Sequence, residues 1–146
     1  DLKMEALTNG LAEGIAIDDQ GYVSEGSGEN VFLALDGQLL TPAVSPSILP
    51  GITRNSILRL AEEMGIPTRR ESIPRGVLYT CDEAFFTGTA VEVTPIRSID
   101  RIPVGDGKPG PITRRLVQEY LGITRGELAD RFGWLTPVPA VVAQVP

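Results

Sequence analysis

Apolar residues recur at helical spacing in three parts of the chain. Met4, Leu7 and Leu11 predict a helix over 2–11. Ile57, Leu60, Ala61 and Met64 predict a second helix, which Thr53 would cap and Gly65 would stop, with Pro67 forbidding its restart. Ile112, Leu116 and Tyr120 predict a third over 111–121. The apolar runs between them are shorter and read as strands. Residues 14–17 are one, followed by a turn over 18–21 into Tyr22 and Val23. The runs 31–35 and 38–41 flank Asp36-Gly37, a strong hairpin signal. Three prolines and two serines make 42–50 a loop. Arg69, Arg70 and Glu71 mark 66–73 as an exposed, edge-like strand, and Pro74 opens a short helix over 74–79. Residues 84–87 and 91–99 read as strands separated by Gly88-Thr89-Ala90. The segment beyond Pro137, rich in Ala, Val and Pro, is expected on the surface or disordered.

Strands and helices alternate irregularly and include hairpins, so a purely parallel, doubly wound sheet of the Rossmann kind fits poorly. The prediction is a mixed α/β (or α+β) domain with a barrel-like mixed sheet and two main helices. At 146 residues the chain is long enough for one domain with a sizeable core.

Charge and composition then remove whole classes of function. The net charge is −6 with no basic cluster beyond short pairs such as Arg69-Arg70, which argues against a nucleic-acid partner. No apolar run approaches the roughly 20 residues that span a bilayer, so no membrane partner is expected. The absence of histidine excludes Ser–His catalysis and His-based metal sites, and no metal is expected. Cys81 is the single cysteine, which excludes an internal disulfide and fits a reducing cytoplasm. Asp1 follows no initiator Met and begins no signal-peptide apolar region, so further sequence is expected upstream.

Three short motifs carry candidate chemistry. Glu25 lies after the Tyr22-Val23 strand and before Gly26-Ser27-Gly28, where backbone can turn sharply or approach a ligand. It is either a solvent-facing turn acid or a carboxylate for a protonated ring nitrogen. Gly51-Ile52-Thr53 opens a helix whose free N–H groups and dipole suit an anion, with Arg54 adding positive charge; the alternative is that Thr53 is a cap and nothing else. Thr87-Gly88-Thr89-Ala90 is either an anion-binding nest or a plain hairpin turn. Glu29 is less specific, and Asn30 reads as a residue bonding local backbone. A cationic ring carrying a phosphate needs both a carboxylate and an anion-binding helix end, and pyridoxal 5′-phosphate is such a molecule. A Schiff-base enzyme also needs a lysine in its pocket. Lys3 and Lys108, the only lysines, both read as surface residues, and Cys81 as a packing thiol.

Taken together, the stretches 21–30, 49–54 and 82–95, with Gly110-Pro111-Ile112-Thr113 and Gly133-Trp134-Leu135, resemble the branched-chain amino acid aminotransferases. These are fold-type IV pyridoxal-phosphate enzymes, grouped with D-amino acid aminotransferases and aminodeoxychorismate lyases. The resemblance covers nearly the whole chain in order. It implies the barrel-like C-terminal domain of the D-amino acid aminotransferase-like fold over 1–136, with 137–146 as a tail and a smaller N-terminal domain absent.

It also implies roles. Glu25 would partner the pyridine nitrogen, and Leu49 would pack on the ring. Gly51, Ile52 and Thr53 would bind the phosphate, with the Thr89 hydroxyl. Gly88, Thr89 and Ala90 would receive the substrate carboxylate. The family's Schiff-base lysine is expected upstream of Asp1, so this chain is expected to hold no catalytic residue and to be inactive alone. The implied activity of the whole is ping-pong amino transfer from branched-chain L-amino acids to a 2-oxo acid, typically 2-oxoglutarate, by a cytoplasmic homo-oligomer. D-amino acid transfer, aminodeoxychorismate cleavage and a non-catalytic anion-binding module are the rival readings.

Overall fold

A computed structural model describes residues 1–44 and 48–139. Five strands form a mixed sheet: β3 (Asn30–Leu35), β4 (Gln38–Thr41), β5 (Thr68–Arg70), β6 (Glu83–Gly88) and β7 (Glu92–Pro95). Their order is β5-β4-β3-β6-β7. β4 and β5 run parallel, and the other neighbours are antiparallel. The parallel pair needs a crossover, which α2 (Ile52–Glu63) supplies. The expected hairpin joins β3 to β4 with Asp36 and Gly37 both at positive φ, the conformation of a type I′ turn.

Alternation along β3 and β6 assigns side chains to two cores. Phe32, Leu39 and Phe85 face α2 and α3 (Pro111–Thr124), where they pack on Ile57, Leu60, Leu116 and Ile123. Phe32 and Phe85 stack with centroids 5.1 Å apart. On the other face Val31, Leu33, Ala84 and Phe86 meet Val23, Ile73 and Leu78. That second core is covered by the ribbon of β1 (Ile15–Ile17) and β2 (Val23–Gly26). Tyr22 bridges Pro74 and the Val23 N–H donates to the Ile73 carbonyl at 2.8 Å, which fastens this ribbon to the chain beyond β5. The fold class is therefore mixed α/β, as the pattern predicts. Among the described residues the strands curl over the core without closing into a hydrogen-bonded barrel.

Several boundaries differ from the sequence reading. Helix α1 spans Leu2–Thr8, capped by the Asp1 carboxylate, and ends before Leu11 because Gly10 takes positive φ. Its stripe is not the buried one: Met4 and Leu7 are 60% and 52% exposed, and Ala6 is buried. The strand expected over 91–99 is broken into β7 and β8 (Ser98–Ile99), because β8 turns back through Asp100 and Arg101 to pair with β9 (Ile102–Pro103). The edge strand at 66–73 contracts to β5, and the short helix is a 3-10 turn over Arg75–Tyr79. Helix α3 runs to Thr124, past the expected end at 121, and buries Ile123. Residues 45–47 of the expected loop and 140–146 of the expected tail lie outside the described residues. Among the described residues no helix is long and apolar enough to cross a membrane.

Candidate functional site

The two long helices begin alike and end up in different electrostatic states. Each has a glycine cap with extended backbone, Gly51 for α2 and Gly110 for α3, and neither cap supplies a side-chain acceptor. Helix first turns leave N–H groups without intrahelical partners. At α3, Pro111 has no N–H, and the buried Glu83 carboxylate accepts from Ile112 N at 3.0 Å and Thr113 N at 2.7 Å. The end is filled by a charge from within the fold. At α2 the first backbone bond runs from Asn55 N to Gly51 O, and Ile52 and Thr53 face a cleft.

That cleft has a volume of about 170 Å³. It is lined by Glu25, Leu49, Gly51, Ile52, Thr53, Gly88 and Thr89, and also by Ser27, Gly28, Glu29, Asn30 and Thr87. All the cofactor-binding residues expected from the sequence meet there. Ala90, one residue further round the turn, is exposed and does not line it. Ligand pockets usually exceed roughly 300 Å³, so these residues form one wall of a site rather than an enclosure. Leu49 and Ile52 are 73% and 83% exposed, so the wall presents apolar surface.

Three local expectations are corrected. Glu25 lies within β2, because the strand continues through Ser24 to Gly26 instead of stopping at Val23; its Oε2 accepts from Leu49 N at 3.0 Å. Thr53 is not the cap of α2, since the helix starts at Ile52 and Thr53 sits buried in the first turn. Arg54, unlike Thr53, does not line the cleft. Its guanidinium is buried and donates to the Pro42 carbonyl at 2.8 Å; burial, then the charge of Arg70, lowers its pKa. The cleft thus has two carboxylates, Glu25 and Glu29, and no cationic side chain among its lining residues. Positive potential comes from the end of α2.

The sequence reading assigned no role of its own to Thr87. Its side chain is fully buried beside the cleft, with Oγ1 unpartnered among the described residues. Only the pairing of β6 with β3 brings it there, opposite Asn30. Ser27 connects the cleft to Glu13. Burial opposes ionisation of Glu13, yet hydrogen bonds from Lys3, Ser27 and Gly14 outweigh it and lower its pKa. Lys3 itself is held by Glu13 at 2.5 Å and by the Ala12 carbonyl, away from the cleft.

Lys108 is exposed beside a wider cleft of about 550 Å³ at the start of α3, where Glu83 already occupies the helix N–H groups. Among the described residues no group of three or more His, Cys, Asp or Glu is placed to hold a metal.

Cys81 is buried, and burial pushes its thiol up to about 11, with the charge of Asp82 adding to the effect. It should resist iodoacetamide in the folded protein near pH ~8 and label fully in denaturant, read by intact mass. Because its pKa is raised on folding, it adds stability below the unfolded thiol's pKa. That contribution is lost as pH rises through about 11.

Comparison with known proteins places this geometry. The branched-chain-amino-acid aminotransferase of Salmonella typhimurium is 52% identical over 134 residues, covering 92% of this chain and 43% of that protein. The crystal structure of the Escherichia coli branched-chain amino acid aminotransferase matches with TM-score 0.91 and 49% identity, covering 94% of this chain and 46% of that one. That of the T.th. branched-chain amino acid aminotransferase complexed with N-(5′-phosphopyridoxyl)-L-glutamate matches with TM-score 0.88 and 44% identity, covering 92% and 46%. The chain spans less than half the length of each. The model of the class IV amino-transferases matches residues 2–99, which take in the whole five-stranded sheet, α2 and the lining of the cleft, and the chain belongs to that amino-transferase class IV family.

Proposed function

We propose that the protein is a branched-chain amino acid aminotransferase using pyridoxal 5′-phosphate, and that this chain supplies the anion-binding wall of its site. One observation carries the reading. The cleft is lined both by a carboxylate, Glu25, and by a helix N-terminus with no acceptor among the described residues, while the equivalent end of α3 is filled by Glu83. A protonated pyridine ring bearing a phosphate complements those two poles.

Bound there, the cofactor supplies a carbonyl that takes up an amino group and a cationic ring that withdraws electrons from the substrate carbon. Glu25 keeps the ring nitrogen protonated, with its Oε2 held by Leu49 N. The N–H groups of Gly51, Ile52 and Thr53 hold the phosphate, the Thr89 hydroxyl adds a donor, and Leu49 covers one ring face. The turn at Gly88, Thr89 and Ala90 orients the substrate carboxylate. The lysine that moves the proton belongs to the rest of the protein, as does the part that closes the cleft. The phosphopyridoxyl-glutamate complex of the T.th. relative supports glutamate and 2-oxoglutarate as the second substrate pair.

The division into a cofactor-binding unit over 1–136 with a tail beyond it, the cytoplasmic location and the homo-oligomeric assembly belong to the same reading. Exposed Met4 and Leu7 are surface available to such an assembly.

The test is to load the full-length protein with the cofactor and follow its visible spectrum as L-leucine or D-alanine is added. Conversion to the amine form of the cofactor with L-leucine alone is the expected result. Conversion with D-alanine alone would move the protein to the D-amino acid branch, and no cofactor band at all would leave a non-catalytic module.

A further inference from the structure

Asn30 has a partner nineteen residues away rather than nearby backbone. It is buried at the head of β3, where β3 pairs with β6 in the middle of the sheet, opposite Thr87. Its Nδ2 donates to the Leu49 carbonyl at 2.9 Å. Its Oδ1 lies against the Cα of Gly51, where an added Cβ would stand 2.1 Å from it. Gly51 is thus required by close approach, its φ of −93° being open to any residue.

Leu49 is gripped from both sides: its carbonyl by Asn30 and its N–H by Glu25 Oε2 at 3.0 Å. Its own side chain is mostly exposed and contributes little burial to hold it. One residue therefore joins the two poles of the cleft, and Asn30 ties that residue and the cap of α2 to the sheet. Arg54 fastens the helix separately, through Pro42.

We propose that Asn30 is a positioning residue that sets the open end of α2 at a fixed distance from Glu25, and that this spacing selects phosphorylated over unphosphorylated pyridoxal. The inference rests on the cofactor reading above. A rigid ligand with a charge at each end gains from both poles only when their separation matches its own. Loosening the Leu49–Gly51 segment costs more of the phosphate's share of the affinity than of the ring's, because Glu25 stays fixed in β2 while the cap of α2 is freed.

The experiment titrates pyridoxal 5′-phosphate and pyridoxal separately into the full-length protein, following cofactor absorbance, in wild type, Asn30→Ala and Gly51→Ala. Wild type should prefer the phosphorylated form. Asn30→Ala should cut that preference about 10-fold or more, weakening pyridoxal far less than pyridoxal 5′-phosphate. Gly51→Ala keeps Asn30 but pushes it off the helix cap, so it carries the same expectation if Asn30→Ala does not fold. An undiminished preference in either folded variant, or equal weakening of both ligands, would reduce Asn30 to a structural residue and overturn the inference. Wild-type protein binding neither ligand would instead overturn the cofactor reading itself.

Discussion

Glu25→Gln in the full-length protein should lower kcat about 100-fold or more and change pyridoxal-phosphate affinity little. The substitution is close to isosteric, and the amide oxygen still accepts from Leu49 N, so the bond that now measures 3.0 Å survives. What is lost is the negative charge that keeps a ring nitrogen protonated. The affinity from α2 remains, because its N–H groups are backbone and do not depend on Glu25. Steady-state kinetics beside a cofactor titration separate the two quantities. Turnover near wild type would remove Glu25 from the ring-nitrogen role, and a parallel loss of affinity would make it a structural acid of β2.

Glu83→Ala should cost about 2–6 kcal/mol of folding stability, from two helix N–H groups left without acceptors at about 1–3 kcal/mol each. The carboxylate is buried and reaches Ile112 N and Thr113 N at 3.0 and 2.7 Å, so water has little room to replace it. Gly110 leaves no alternative, since a Cβ there would stand 2.1 Å from Glu83 Cδ; helix and carboxylate are fitted to each other. Urea unfolding checks the prediction. Glu83→Gln, which keeps one acceptor, should fall between wild type and Glu83→Ala. A loss below about 1 kcal/mol for Glu83→Ala would mean that the helix end is solvated in some other way.

Glu83 illustrates what the chain's own pattern conceals. Asp82-Glu83 reads as a polar step before an apolar strand, and its partner is 29 positions away at Ile112. Arg54 shows the reverse error. A cation in the first turn of an anion-binding helix looks like a phosphate ligand, yet helical geometry turns it away from the cleft and toward the Pro42 carbonyl. Thr53 was legible as a site residue and misplaced as a cap, because the helix already begins at Ile52, behind Gly51.

Local pattern was enough to find most of the elements and the chemistry of the short motifs. Hydrophobic spacing marked α2 and α3, Asp36-Gly37 set the hairpin, and the lack of histidine narrowed the catalysis available. It also named most residues of the cleft, because helix caps and glycine turns act over four or five positions and leave local marks. Which helix end stays open was settled only by the packing of distant segments. α2 and α3 start with the same kind of glycine cap, and Pro111 removes one N–H from α3 without showing what meets the rest. The difference is made by β6, which delivers a carboxylate to one helix, and by β2 and β3, which bring Glu25 and Asn30 to the approach to the other. Pairing between strands distant in sequence places those groups, and hydrophobic periodicity carries no information about which distant strand will be the neighbour.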